Sequence, residues 1–247
     1  MSMSKNAGAP AVASNLLRAL KPEDYALLVP HLKSMDVKTG TILYEPGDAV
    51  QYAYFPCGPT LLSFVVLLDD EHEVETALIG REGAVGGLVS QGHLPAYCRA
   101  TVRLPGPVLR IEMSKLEQAK SQSLALRHFF ARYADCLLAQ IFQSVACSAT
   151  QTIEQRTAKW LMTALAHTDD HIIPLTQEQL ASMLGVGRSY VGRVMSSLQA
   201  AGVLETSRGK FEIRKMKQLE ALACGCNNYV RKHFDEVLAD VYPEEAT

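Results

Sequence analysis

Apolar positions between residues 36 and 110 come in short runs broken by turn residues. The turns stand at Gly40, Pro46-Gly47, Gly58-Pro59, Asp69-Asp70, residues 80–83, Gly92 and Pro105-Gly106. Between them lie Thr41-Ile-Leu-Tyr44 and residues 61–68, 74–79 and 100–104. Short runs between evenly spaced turns predict many short strands packed as a sandwich or barrel. Ahead of them, residues 15–35 predict one or two short helices broken at Pro22 and Pro30, and residues 1–13 a tail of small and polar residues.

The pattern changes at residue 115. Residues 115–148 contain neither Gly nor Pro, and Phe130, Ala134, Leu137, Ile141, Val145 and Ser148 recur at spacings of three and four. That seam predicts a long helix pairing with a partner helix. Phe129, Tyr133, Cys136 and Phe142 lie off the seam. A helix buried inside its own domain accounts for one apolar side; a dimer helix that also packs on the strand-rich domain accounts for both. Thr152-Ile-Glu-Gln155 is a capping box opening a further helix, with Ile153, Thr157, Trp160, Leu161 and Ala164 on one face. Residues 167–171 are a polar break and residues 172–175 a short strand.

Residues 175–202 hold two short amphipathic patterns that meet at Gly185. Thr176-Gln-Glu-Gln179 caps the first. The second starts near Gly187, with Val191, Val194, Met195 and Leu198 set to pack on Leu180, Ala181 and Leu184. Its opposite face carries Ser189, Gly192, Arg193 and Ser196, with Arg188 at its N-terminal end and no acidic residue to oppose the two arginines. This is the pattern of a helix-turn-helix whose second helix enters a major groove, where Arg matches guanine O6 and N7. Two strand-like runs around Ser207-Arg-Gly-Lys210 form a hairpin wing that puts Arg208 and Lys210 within reach of phosphates.

Charge sharpens this picture. The net charge is only −2, but it is unevenly placed. Residues 41–90 carry eight acidic side chains against Arg81 alone, whereas residues 176–217 carry seven basic ones against Glu178, Glu205 and Glu212. The split predicts an acidic sensing or scaffold domain and a basic domain that meets phosphate. No secretory leader and no apolar run near the ~20 residues of a membrane span are present, so the expected location is the cytoplasm, with no membrane partner and reduced thiols.

Taken in order, these parts resemble the CRP/FNR family of bacterial transcription regulators. The most specific element is Leu184-Gly-Val-Gly-Arg-Ser-Tyr-Val-Gly-Arg193, similar to the family's Leu-Gly-x-Ser/Thr-Arg-Glu-Thr-Val-Ser/Gly-Arg. The resemblance implies an α+β fold in three parts. Residues 1–114 would be a cyclic-nucleotide-binding-like β-roll (a jelly-roll-like double-stranded β-helix) with N-terminal helices. Residues 115–149 would be a dimerisation helix and residues 150–247 a winged helix-turn-helix. It implies a regulator, not an enzyme, acting as a homodimer on a pseudo-palindromic operator. Arg188, Ser189, Gly192 and Arg193 would read bases; Thr176, Gln177, Tyr190, Ser196, Arg208 and Lys210 would hold the DNA backbone; Phe130, Ala134, Leu137, Ile141 and Val145 would join the dimer. Ser189 replaces a Glu found in many members, so the DNA target should differ from the commonest one. Double-stranded DNA and a second copy of the chain are the implied partners; RNA polymerase and an unidentified small effector are further partners the family allows.

The roll departs from the family pattern. Members that bind cyclic nucleotides carry a Gly-Glu pair and then Arg-Ser/Thr-Ala-x-Val. Here the pair is Gly86-Gly87, and the second motif reads Cys98-Arg99-Ala100-Thr101-Val102. Cys98 takes the arginine position and Arg99 is displaced by one, which on a strand turns a side chain to the other face. The pocket at Gly86, Gly87, Cys98, Arg99 and Ala100 is therefore expected to be degenerate. A different class of function is a cyclic-nucleotide- or other small-ligand-responsive adaptor whose helix-turn-helix contacts protein. No catalytic, cofactor or metal constellation is expected. Residues 1–36 lack the cysteines of the family's iron–sulfur members, Cys57, Cys98, Cys136 and Cys147 lie far apart, His72 and His93 sit in turns, and the close pair Cys224-Gly-Cys226 has no second pair.

Overall fold

The computed structural model describes residues 14–68, 73–89, 95–168 and 171–239. The N-terminal tail, the turns at Asp69-Asp70 and Gly92, and His72 and His93 lie outside them, as does part of the 167–171 break.

The N-terminal segment forms α1 (Asn15–Arg18), α2 (Pro22–Leu28) and a 3-10 turn over Val29–His31. Pro22 opens α2 rather than breaking a helix, because the first turn has no use for the N–H that proline lacks. The expected helix also ends early. Lys33–Val37 is strand β1, which turns Val37 into the core.

Six more strands complete the roll: β2 (Ile42–Tyr44), β3 (Tyr52–Pro56), β4 (Leu61–Leu67), β5 (Glu73–Ile79), β6 (Arg99–Leu104) and β7 (Gly106–Glu112). They form two antiparallel sheets, β1-β7-β3 and β2-β6-β4-β5. Val37, Tyr54, Leu62, Ile79, Ala100, Val102 and Val108 fill the space between them. Along β6, Ala100 and Val102 point into the core between the sheets, whereas Arg99 and Arg103 point away from it to acidic partners.

The long helix expected over residues 115–148 is two helices, α3 (Met113–Gln122) and α4 (Leu124–Thr150). Ser123 divides them in an extended conformation. Its backbone N–H donates to Ala119 O, closing α3, and its hydroxyl accepts from Leu126 N at 3.0 Å, capping α4. Leu16, Leu17, Leu28, Phe55, Ile111, Leu116, Phe129, Phe130 and Tyr133 form a second core between these helices and the outer face of the β1-β7-β3 sheet.

The remainder runs α5 (Ile153–Leu165), β8 (Ile172–Ile173), α6 (Gln177–Leu184), α7 (Arg188–Ala200), β9 (Leu204–Ser207), β10 (Lys210–Ile213), α8 (Met216–Leu222) and α9 (Cys226–Ala239). Strands order β8-β10-β9. The core of this part includes Leu61 and Leu104 of the roll, so the two halves share a continuous apolar contact. Polar links reinforce it. Trp160 Nε1 donates to Glu75 Oε1 at 2.9 Å, Glu75 being held within the roll by Arg103 Nε at 3.0 Å, and Arg81 donates to Ala166 O at 3.2 Å. Helix α9 then returns to α4, where Phe234 packs edge-on against Tyr133 and Arg132 donates to Val237 O at 3.0 Å. No helix among the described residues is long and apolar enough to cross a membrane.

Candidate nucleic-acid interface

Helix α6 opens on a reciprocal cap. Gln179 N donates to Thr176 Oγ1 at 3.2 Å and Thr176 N to Gln179 Oε1 at 2.9 Å. It closes at Gly185, whose φ of +63° is the left-handed conformation that glycine adopts without a Cβ penalty. The Arg156 side chain of α5 donates to Leu184 O at 2.6 Å, satisfying a carbonyl of the last turn. Val191, Met195 and Leu198 bury one face of α7 against Leu180, Ala181 and Leu184. This leaves Arg188, Ser189, Tyr190, Arg193 and Ser196 exposed together. The Arg193 guanidinium lies 4.5 Å over the Tyr190 ring, which narrows its range of positions before any ligand arrives.

The wing is the hairpin β9–β10, pairing Ser207 with Lys210 across Arg208 and Gly209, the latter at φ +76°. Thr206 Oγ1 donates to Gln199 Oε1 at 2.9 Å and fixes the wing against α7. Arg214 is taken up by Glu205 and Glu212, whereas Arg188, Arg193, Arg208 and Lys210 carry no ion pair among the described residues. One expected contact residue has structural work as well. The Thr176 hydroxyl is engaged in the cap of α6. Gln177 Oε1 would stand 3.7 Å from a Cβ added at Gly192, an ordinary contact, so α6 does not itself require glycine there.

Residues 155–222 match the family model of the Crp-like helix-turn-helix domain. The transcriptional regulator SdrP of Thermus thermophilus is 25% identical over 194 residues, spanning 74% of this chain and 94% of that protein. The chain is thus similar to transcription regulators of the CRP/FNR type, with a Crp-like helix-turn-helix domain at residues 155–222. Among solved structures, FixK2 from Bradyrhizobium japonicum superposes with a TM-score of 0.65 at 17% identity, covering 78% of this chain and 98% of that one. A CRP-family transcriptional regulator from Thermus thermophilus gives 0.64 at 17% identity, covering 76% and 95%. At these identities the structural likeness establishes the fold. The chain thus shares the fold of these regulators and carries a Crp-like helix-turn-helix domain.

In the roll, a cavity of about 460 Å³ is lined by Tyr44, Val50, Gly86, Gly87, Pro95, Ala96, Tyr97, Cys98, Met113, Ser114 and Glu117. Cys98 faces it. Arg99 does not: its side chain leaves by the outer face to pair with Glu45 at 2.7 Å and with Glu73. Glu117 is the one charged side chain lining the cavity among the described residues. Gly86 has a φ of +130°, and a Cβ there would lie 2.7 Å from Ala53 Cα. The segment is tied to α4, since the Tyr133 hydroxyl accepts from Ala84 N at 2.8 Å and donates to Ala84 O at 2.9 Å. Nothing in the spacing of residues 80–88 pointed to this link.

The helix seam needs correction. Phe130 is fully buried against Phe55 and Phe129 in the protomer's own core, and Leu137 and Ile141 pack on the roll. Ala134 is half-buried, and only Val145 and Ser148 of the expected seam stand exposed. The larger apolar face of α4 is therefore used inside the protomer. The exposed apolar stripe is displaced round the helix, through Leu138, Phe142 and Val145, which are 47%, 64% and 64% exposed. Its spacing of four and three continues at exposed Ala131, Asp135 and Ala149.

Sequence reading also missed a cluster. Cys147 near the end of α4 meets Cys224 and Cys226, which close the gap between α8 and α9, with all three sulfurs within 4.8 Å of one another. Cys147 lies 77 positions from Cys224, and only the return of α9 brings them together.

Proposed function

We propose that the protein is a homodimer that binds a pseudo-palindromic operator through α7, with α4 as the dimer helix and the roll, residues 1–114, as a domain that takes no cyclic nucleotide. The observation that carries this reading is the single exposed face of α7, where Arg188, Ser189, Arg193 and Ser196 are exposed while Val191, Met195 and Leu198 on the opposite face are buried. Arg188 and Arg193 read base edges, with Ser189 and Gly192 between them at the groove floor. Tyr190, Ser196, Gln177, Thr176, Arg208 and Lys210 lie at the flanks and hold phosphates. In a dimer the two recognition helices would enter major grooves about 34 Å apart. Residues 115–149 supply the pairing stripe, at Leu138, Phe142 and Val145 rather than Phe130. Residues 150–247 hold the DNA-binding unit together with α9.

A cyclic phosphate entering the roll would meet the Cys98 thiol and a Glu117 carboxylate already paired with Lys120, where its binding needs an arginine. Calorimetric titration with cAMP and cGMP should give no heat of binding; saturable binding of either would refute this part. DNA reading is tested by selection from random duplexes. The selected motif should show two-fold symmetry, and Arg188→Ala should cost about 1–3 kcal/mol and relax one base position in each half-site. Selection that enriches no motif from a folded dimer would favour the adaptor reading instead.

A further inference from the structure

Three thiols that converge at the joint between α4 and α5 form a candidate metal centre. Cys147 is three residues from the end of α4, Cys224 follows α8, and Cys226 is the first residue of α9. The Cys147 and Cys224 sulfurs are 3.9 Å apart, and all three lie within 4.8 Å of one another. A soft cation ~2.3 Å from each sulfur holds the sulfurs about 3.8–4.0 Å apart, so binding would draw this set together by at most about 1 Å. None of the three is in a disulfide.

The surroundings suit thiolates. Lys159 Nζ lies 3.4 Å from Cys147 Sγ, and Gln143 Nε2 donates to the same sulfur at 3.5 Å. Burial opposes ionisation of Cys147, but the Gln143 hydrogen bond and the Lys159 charge outweigh it and bring the thiol below its ordinary range. Burial and the hydrogen bonds to Cys224 and Cys147 push the Cys226 thiol up. A bound cation would displace the thiol protons. With Zn²⁺ the three thiolates leave one negative charge, which Lys159 offsets. Cys147 and Cys224 border a cavity of about 1150 Å³, which leaves room for water as a fourth ligand.

We infer that Cys147, Cys224 and Cys226 bind one soft, thiophilic cation of the Zn²⁺ or Cu⁺ class. Its ligands come from the end of the dimer helix and from the far side of the winged helix-turn-helix. Occupancy would therefore clamp the DNA-binding domain against α4 at the joint where the chain turns through Gln151 and Thr152. The site stands on the thiol geometry alone; its effect on DNA rests on the DNA-binding reading above.

The test uses the full chain, reduced and stripped of metal. Zn²⁺ is titrated against a chromophoric chelator and Cu⁺ against bicinchoninate, and Co²⁺ loading should give sulfur-to-metal charge-transfer absorption in the near ultraviolet. One equivalent of Zn²⁺ or Cu⁺ should bind with release of protons. Cys224→Ser and Cys226→Ser, both at half-buried positions, should each weaken binding by at least about 10–100-fold, the usual effect of disturbing even the partners of a metal ligand. Cys147→Ser is buried and is scored only if its circular dichroism matches the parent. Failure of the reduced chain to bind either ion stoichiometrically overturns the site, as does binding that survives the Cys224→Ser, Cys226→Ser double variant. A Cys147–Cys224 disulfide formed by diamide in a chain that binds no ion would overturn it in favour of a redox pair. Zn²⁺ or Cu⁺ loading that leaves affinity for the selected operator unchanged refutes the clamp while the metal site stands.

Discussion

At the scale of single residues, the structure shows side chains whose work is invisible in composition or spacing. Tyr133 sits on a helix as one more aromatic, yet its hydroxyl satisfies both the N–H and the C=O of Ala84 in a buried position. Tyr133→Phe should destabilise the protein by about 1–3 kcal/mol, because two buried backbone groups lose their partner while the packing is kept. Urea denaturation followed by circular dichroism would measure it, and a change under about 0.5 kcal/mol would show that water replaces the hydroxyl. Gly80 is a second such position. A Cβ there would overlap the His167 ring and lie 2.7 Å from Glu82 Oε2, so Gly80→Ala should loosen the contact between the roll and the end of α5. Faster amide exchange of residues 163–168 would report this.

At the scale of elements, small polar devices rather than hydrophobic periodicity decide where helices stop and dock. Ser123 ends α3 and starts α4 within a stretch free of Gly and Pro, so apolar spacing alone runs the two together. The end of α5 is held to the roll partly by His167, which lies 3.7 Å from Glu82. Burial lowers the His167 pKa, Glu82 raises it, and Arg81 and Arg231 lower it further, with a net depression. Below about pH 6.5 the unfolded or undocked imidazole takes up a proton more readily than the docked one. The stability it contributes is therefore complete above that pH and falls as pH drops toward the depressed folded value. Thermal midpoints measured from about pH 7.5 to 5.5 should fall more steeply for the parent than for His167→Gln; parallel curves would remove His167 from the account.

At the scale of the whole molecule, the helix-turn-helix is docked on the outer face of the β2-β6-β4-β5 sheet and α9 is folded back on α4, so roll, long helix and DNA-binding unit touch one another. The stripe Leu138, Phe142 and Val145 is what this arrangement leaves exposed, and it is the proposed contact with a second copy. Phe142→Glu should shift a dimer to monomer in sedimentation velocity, and operator affinity should fall with it, since a charge would have to be buried without a partner. An unchanged sedimentation coefficient would place the dimer contact elsewhere. Arg208→Ala at the wing tip should weaken all DNA sequences alike and reduce the salt slope of binding by about one.

The local patterns that were legible in the sequence are those set by neighbours in the chain. Capping boxes at Thr152 and Thr176, the break at Gly185, the Arg208-Gly209 hairpin and the two-faced α7 depend on residues within one turn or one strand of each other, and each formed where its pattern stands. The outward direction of Arg99 follows from the same kind of local rule, strand alternation. What only the tertiary structure decided involves competition between distant surfaces. The α4 helix has apolar residues nearly all round, and periodicity could not say that the roll takes Phe130, Leu137 and Ile141 and leaves Phe142 outside. The meeting of Cys147 with Cys224 and Cys226 depends on α9 packing against α4, a long-range contact that no spacing encodes.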